Sequence, residues 1–459
     1  MPERRRILVV TADRLGRTQA GPAIRASAIA DALHPHHDVT LVSLQPGDGL
    51  DRPYPVLVDQ DGDALDDLAA PAEIVVGQGW VFGGRPALTA PDKIVVADIY
   101  GPMHLEQLEQ GFEAGTDDGR RRAINGAVTV LNDQLRRADF FLCASDRQRD
   151  FWLGQLAALG RINARTYDAD PSLRRLIDVA PFGLPAEPPV HERAIVRGVV
   201  PGIGPDDQLL LWGGGVYNWF DPLTLLRAVH RLRDTHPKVR LYFMGIQHPN
   251  REIATMRMAH DTMALADELG LTGSTVFFNE GWIAHDDRQN VLLEADIGVS
   301  THFEHVETAF SFRTRILDYL WAGLPIVTTE GDVLADLVRE EDLGATVPPE
   351  DVDALVDKLG HLLGSPTRRQ ACSTRSKAVA QRYTWDRTLA PLVAFCAAAA
   401  PAPDRSDPVV ASDIEALQSD RPKRPGWRGT VQRAADLLAE DGVAPVVRRS
   451  MARLRPRRR

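Results

Sequence analysis

Cysteine is nearly absent: Cys143, Cys372 and Cys396 are the 3 in 459 residues. An odd number at wide spacing excludes a disulfide framework and a zinc cluster, and buried thiols are expected instead. Long apolar runs are missing too. The best, 392–402, falls short of the roughly 18 consecutive apolar residues a membrane-spanning helix needs. At the amino terminus Arg4, Arg5 and Arg6 are followed only by Ile7, Leu8, Val9 and Val10, well under the about 7–15 apolar residues of a secretory signal core. A cytoplasmic location is therefore expected. A basic surplus is lacking as well, with a net charge of −10. Residues 401–459 hold 13 Lys+Arg against 8 Asp+Glu, so that tail carries +5 and the remaining 400 residues −15. So acidic a body argues against nucleic acid as a partner.

What is present is a chain long enough for two or three domains, 44% hydrophobic and 25% charged. Short β-branched runs at 7–11, 39–44, 74–78, 94–98 and 140–145 alternate with helical patterns. The series pauses over 181–205, where 6 prolines and 4 glycines fall, then resumes at 209–213, 239–245, 275–279, 297–300 and 326–329. This rhythm predicts an α/β protein with parallel sheets, organised as two facing Rossmann-like domains with a cleft between them. The first is expected over 1–185, the second over 186–400 with a closing helix at 387–399, and a linker and basic tail over 401–459. In open parallel sheets ligands bind beyond the carboxyl ends of strands, so the loops that follow strands are the candidates.

Four such loops carry chemistry. After the first strand, Gly21-Pro22 opens a helix whose free N–H groups suit a phosphate or a sugar hydroxyl; a plain turn is the alternative. After 94–98 come Asp98 and His104, a carboxylate positioned for an acceptor hydroxyl and an imidazole that could orient the sugar; the alternative makes Asp98 a helix cap and His104 a surface residue. The third loop, Gly213-Gly214-Gly215 through Trp219 to Asp221-Pro222, permits close backbone approach and stacking, with Asp221 as the cap of the next helix. It has neither the dinucleotide fingerprint nor a phosphate-loop lysine. The fourth is the most informative. Glu307, Ser311, Phe312, Arg313 and Arg315 lead into a short helix ending near Gly323, and two arginines at a helix start can neutralise a diphosphate. The simpler alternative there is an Arg315–Asp318 surface pair. Histidines at 302 and 305 on an undefined loop do not make a metal site, and the triplets Asp61-Gly-Asp63, Asp168-Ala-Asp170 and Asp351-Val-Asp353 read as solvated charge.

Taken together these loops resemble the GT-B glycosyltransferases of the large retaining family 4, which includes sucrose synthases and many cell-envelope mannosyl- and glucosyltransferases. The most specific part is Asp318-Tyr-Leu-Trp-Ala-Gly-Leu-Pro325, similar to the family's Glu-Ala-x-Ala-x-Gly-x-Pro. Gly21 matches its glycine-rich loop, Asp98-Ile-Tyr-Gly-Pro its acceptor-side loop, Ala180-Pro-Phe-Gly183 its interdomain segment and Asn279-Glu-Gly-Trp282 its base-binding segment. The resemblance implies a nucleotide diphospho-sugar on the second domain, held by Gly21, Gly214, Gly215, Trp219, Trp282, Glu307, Ser311, Phe312, Arg315 and Asp318. Asp98, His104 and Arg313 would serve catalysis, with Asp98 positioning more than acting as a base. It also implies retention of configuration, no metal and no cofactor besides the donor. The chain departs from the family where its first glutamate would fall, at Phe310, with Glu307 three residues early, and in lacking the usual Arg and Lys near 219–221. A nucleotide-sugar epimerase of the same fold and a non-catalytic scaffold are the rival readings. The seven arginines among the last twelve residues suggest an anionic membrane surface and a lipid-linked or saccharide acceptor, against a merely solubilising tail.

Overall fold

Runs such as Ile7-Leu-Val-Val leave almost no polar side chain to face water, and each of these four residues is at most 2% exposed. Strands of that kind need helices on both faces, which a parallel sheet with crossover helices provides. The computed structural model describes residues 4–60, 62, 64–246 and 255–405, all within one unit, Met1–Asp407. The tail arginines and Asp61 and Asp63 lie outside the described residues.

Two wholly parallel sheets result. The first contains β1 Arg6–Thr11, β2 Asp38–Ser43, β3 Val56–Val58, β4 Ile74–Gln78, β5 Ile94–Asp98, β6 Phe140–Cys143 and β7 Ile177–Val179, in the order β3-β2-β1-β4-β5-β6-β7. The second contains β8 Gln208–Trp212, β9 Val239–Phe243, β10 Val276–Phe278, β11 Ile297–Ser300, β12 Ile326–Thr329 and β13 Gly344–Val347, in the order β10-β9-β8-β11-β12-β13. In each, the strand order reverses beside the sheet's first strand: β1 lies between β2 and β4, and β8 between β9 and β11. Such a reversal splays the following loops apart and opens a crevice at the carboxyl ends. Three strands escape the sequence reading: β3, β7 and β13. All are sheet edges of three or four residues with partly exposed side chains, too short to show an apolar run.

The chain passes between the halves twice. Outbound it runs through the proline-rich stretch after β7; on the return it passes Thr384 and Trp385. The two passes are bonded side by side, Leu184 N donating to Tyr383 O at 2.7 Å and Trp385 N to Leu184 O at 3.0 Å. Gly183 makes this possible, since a Cβ there would lie 2.4 Å from Trp385 Cε3. The closing helix, Ala390–Ala397, buries Leu392 and Cys396 in the core that also holds Ile7, Val9, Ile29 and Val96, and Phe395 stacks on Phe140 with centroids 4.3 Å apart. Counted with the second domain in the sequence, this helix completes the packing of the first sheet. All three thiols are free and buried. Among the described residues no helix is long and apolar enough to cross a membrane.

Candidate functional site

A cleft of about 360 Å³ lies where the loops after the strands of both sheets meet. From the first sheet its wall is Gln19, Ala20, Gly21 and Pro22 at the start of the helix Gly21–Leu33, then Tyr100, Gly101, Pro102 and Glu106 after β5. The helix start has no side-chain cap, so its first N–H groups remain available to a ligand. Gln19 O also accepts the Trp282 indole N–H at 3.1 Å, which ties the first loop to the opposite wall.

Two residues singled out for catalysis do not line this space. Asp98 is 2% exposed and both its oxygens are taken by Arg25: Nε donates to Oδ2 at 2.6 Å and Nη2 to Oδ1 at 2.8 Å. The same guanidinium donates to Ala180 O and Pro181 O, so Asp98 neutralises a buried cation that fastens β5 to the start of the crossing. Fork geometry and burial make this pair architectural. His104 turns away and packs in an aromatic cluster, 5.5 Å from the Phe151 centroid and 5.6 Å from Trp152. Burial holds its pKa down, to about 4, so the ring is neutral near pH 7.

The opposite wall carries the charge. Gly214 turns the third loop with φ of +86°, a conformation that suits glycine. Asp221 caps the helix Pro222–Leu232 by accepting from Thr224 N at 3.0 Å. Trp219 stacks on Tyr217 with centroids 5.0 Å apart. The helix Thr314–Ala322 ends at Gly323 and begins with Arg313 as its flanking residue. Arg313 lines the cleft, yet its fork is spent on Glu307, with bonds of 2.9 and 2.6 Å, and its Nε lies 3.8 Å from Asp332. Arg315 differs. It donates to Gly215 O at 2.7 Å and lies 3.9 Å over the Phe220 ring; among the described residues it has no carboxylate partner and its Nη1 is unbonded. Burial lowers its pKa to about 10, which still leaves it charged. The expected alternative of an Arg315–Asp318 pair is not formed: Asp318 faces Arg288 instead, at 3.5 Å, while burial raises the Asp318 pKa against the pull of Arg288.

Of the residues proposed for donor binding, Gly21, Gly214, Gly215, Trp219, Trp282, Glu307, Ser311, Phe312, Arg315 and Asp318 all line the cleft, as does Arg313. The Ser311 hydroxyl is occupied locally, donating to Thr308 O at 3.0 Å. The departure at Phe310 has a structural reason. Its ring packs 4.5 Å from Phe151 and its carbonyl accepts from Gln148 Nε2 at 2.8 Å, both in the first half, while Glu307, one turn earlier in the short helix Val306–Phe310, faces the cleft. Sequence reasoning passes over Arg288, His285 and Glu106. Arg288 opens the helix Arg288–Glu294 with no glycine-rich loop to mark it, and Glu106 lies in the first turn of the helix Met103–Gln110, where a glutamate looks like solvated charge.

Known proteins are similar to this chain in part of its sequence and in its fold. Residues 207–365 match the family model described as glycosyl transferases group 1. A D-inositol 3-phosphate glycosyltransferase of Saccharomonospora viridis is 27% identical over 242 residues, which is 51% of this chain and 54% of that protein; the match spans about half the length of this curated relative. The sucrose-phosphate synthase of Thermosynechococcus elongatus superposes with a TM-score of 0.58 at 16% identity, covering 86% of this chain and 100% of the other. HepE of Anabaena, solved in complex with UDP-glucose, gives 0.55 at 13% identity with the same coverage. The chain resembles the group 1 glycosyltransferases, and its fold is GT-B.

Proposed function

We propose that this GT-B chain moves a sugar from a nucleotide diphospho-sugar to an acceptor hydroxyl. The observation that carries the reading is Arg315: a buried cation without a counter-ion costs free energy unless a ligand supplies the charge. A diphosphate does so here. It would lie between the Arg315 guanidinium, the backbone of Gly214 and Gly215, and the free N–H groups at the start of the helix Thr314–Ala322. The nucleoside would extend toward Trp282, with its ribose at Asp318, and the transferred sugar toward Glu307, which Arg313 holds in place. Charge that builds on the departing diphosphate is then met by fixed dipoles and a guanidinium, which is why we read the reaction as metal-independent. Retention of configuration is part of the same proposal and rests on the family resemblance.

UDP-glucose, the ligand in the HepE structure, is the first donor to try. Titration calorimetry should detect UDP binding, and Arg315→Gln should weaken it by about 10- to 100-fold, the value of a charge-assisted bond to phosphate. Equal affinity in the variant would remove Arg315 from the site. We further propose a cytoplasmic location, peripheral at the inner face of the plasma membrane, with a saccharide or lipid-linked acceptor in cell-envelope synthesis. Loss of binding to anionic vesicles on deleting residues 440–459 would support this placement, and undiminished binding would count against it.

A further inference from the structure

The third loop, 213–221, contains no lysine or arginine. It can hold an anion only through its backbone, so the directions of its N–H groups decide what it binds. Side chains from outside the loop set those directions. Gly215 O accepts from Trp212 Nε1 at 3.2 Å and from Arg315 Nη2 at 2.7 Å. On the other side of Gly214 the loop is held differently, because Gly213 N–H donates to the Tyr319 hydroxyl at 2.7 Å. Tyr319 lies one turn after Arg315 in the helix Thr314–Ala322 and is fully buried. It stands where the family's Glu-Ala-x-Ala-x-Gly-x-Pro has alanine.

The hydroxyl sits where β8 and β11 part. Their pairing ends with Gly298 beside Leu211, and the hydroxyl shares its one proton between Leu211 O and Val299 O, at 3.0 and 2.9 Å. Burial pushes the phenol pKa up to about 12, so that proton stays in place at neutral pH. Glycines make room for the ring: a Cβ on Gly298 would lie 2.4 Å from Tyr319 Cγ, and one on Gly213 would lie 3.1 Å from its Cε1. Gly214 is the reverse case. A Cβ there would meet nothing within 4 Å, and no backbone hydrogen bond from Gly214 N or Gly215 N is found among the described residues. We infer that Tyr319 is a positioning residue for the diphosphate: by drawing the Gly213 N–H into the core, it leaves those of Gly214 and Gly215 to the cleft. Resting on the sugar-transfer reading above, this adds that the grip on the diphosphate, and not on the nucleoside, depends on a hydroxyl that touches no ligand.

The test uses the full-length chain. Calorimetry with UDP, GDP and ADP first identifies a bound nucleoside diphosphate; binding of none overturns the sugar-transfer reading and this inference with it. Tyr319→Phe keeps the ring against Gly213 and Gly298 and removes only the hydroxyl, which frees the Gly213 N–H to seek another partner and turns the loop. Affinity for the diphosphate should fall by about tenfold, the scale of one hydrogen bond to a charged group. Affinity for the parent nucleoside, read by saturation-transfer NMR, should stay the same. An equal fall for both ligands would make Tyr319 a packing residue only, and an unchanged diphosphate affinity would remove it from the site. Either result overturns the role of Tyr319 while binding by the wild-type chain leaves the donor site standing. Gly213→Ala strains the same bond from the loop side and decides the matter if Tyr319→Phe does not fold. It should show the same selective loss for the diphosphate, and wild-type affinity in that variant would overturn the inference.

Discussion

Arg25 in the first half and Arg315 in the second share a description: each is buried in the first two turns of its helix, and each lies over an aromatic ring, Tyr100 at 4.8 Å and Phe220 at 3.9 Å. Their partners separate them. Arg25 donates to two carboxylate oxygens and two carbonyls, so nothing about it invites a ligand. Arg315 has one carbonyl and an unbonded Nη1. Burial of a cation marks architecture when the counter-ion belongs to the fold and a binding site when it does not.

The comparison can be broken most forcefully at Arg25. Arg25→Ala leaves Asp98 buried and without its counter-ion, and should cost about 3–5 kcal/mol in urea unfolding. Adding Asp98→Leu to Arg25→Met should restore most of that loss, because a buried pair replaced as a pair is often close to neutral; persistence of the full loss would mean that the carbonyl contacts dominate. At Arg315 the sign should reverse. Arg315→Met removes an uncompensated cation and should raise the stability of the ligand-free protein by about 1 kcal/mol, and a loss of stability would show that its ring and carbonyl contacts outweigh the missing counter-ion. A smaller effect comes from His104, a half-buried base kept neutral. Its pKa is about 4 in the fold against 6.5 for the free side chain, so between those values the unfolded chain binds more protons and stability drops as pH falls through that window. Discounted for solvent screening, the loss is on the order of 1 kcal/mol. In His104→Phe the decline from pH 6.5 to 4 should be shallower by that amount.

The sequence is informative about this molecule where burial is continuous and silent where it is partial. Runs such as 74–78, 94–98, 297–300 and 326–329 coincide with strands because both their faces are covered. β3, β7 and β13 have one edge and part of their side chains in water, so no apolar run betrays them. The same division holds at the site. Gly323, which ends its helix with φ of +71°, and the Asp221 cap are local signals and are legible. Which arginine is spent on a partner is not, because Glu307 precedes Arg313 by six residues while Asp98 lies 73 residues from Arg25, and only the fold brings either pair together. Spacing nominates Asp98 and His104 for chemistry at the end of β5; the charged residue that lines the cleft from that segment is Glu106, because in the helix begun at Met103 the His104 ring turns into the Phe151–Trp152 cluster and Glu106, two residues on, lies on the opposite side of the helix.

The return of the closing helix to the first sheet has a consequence for how the protein is made. A chain emerging from the ribosome exposes β1 to β7 long before Leu392, Phe395 and Cys396 exist to cover the core around Ile7 and Phe140. The first half therefore waits through synthesis of the entire second half with that surface open, in the interval when aggregation and chaperone capture compete with folding.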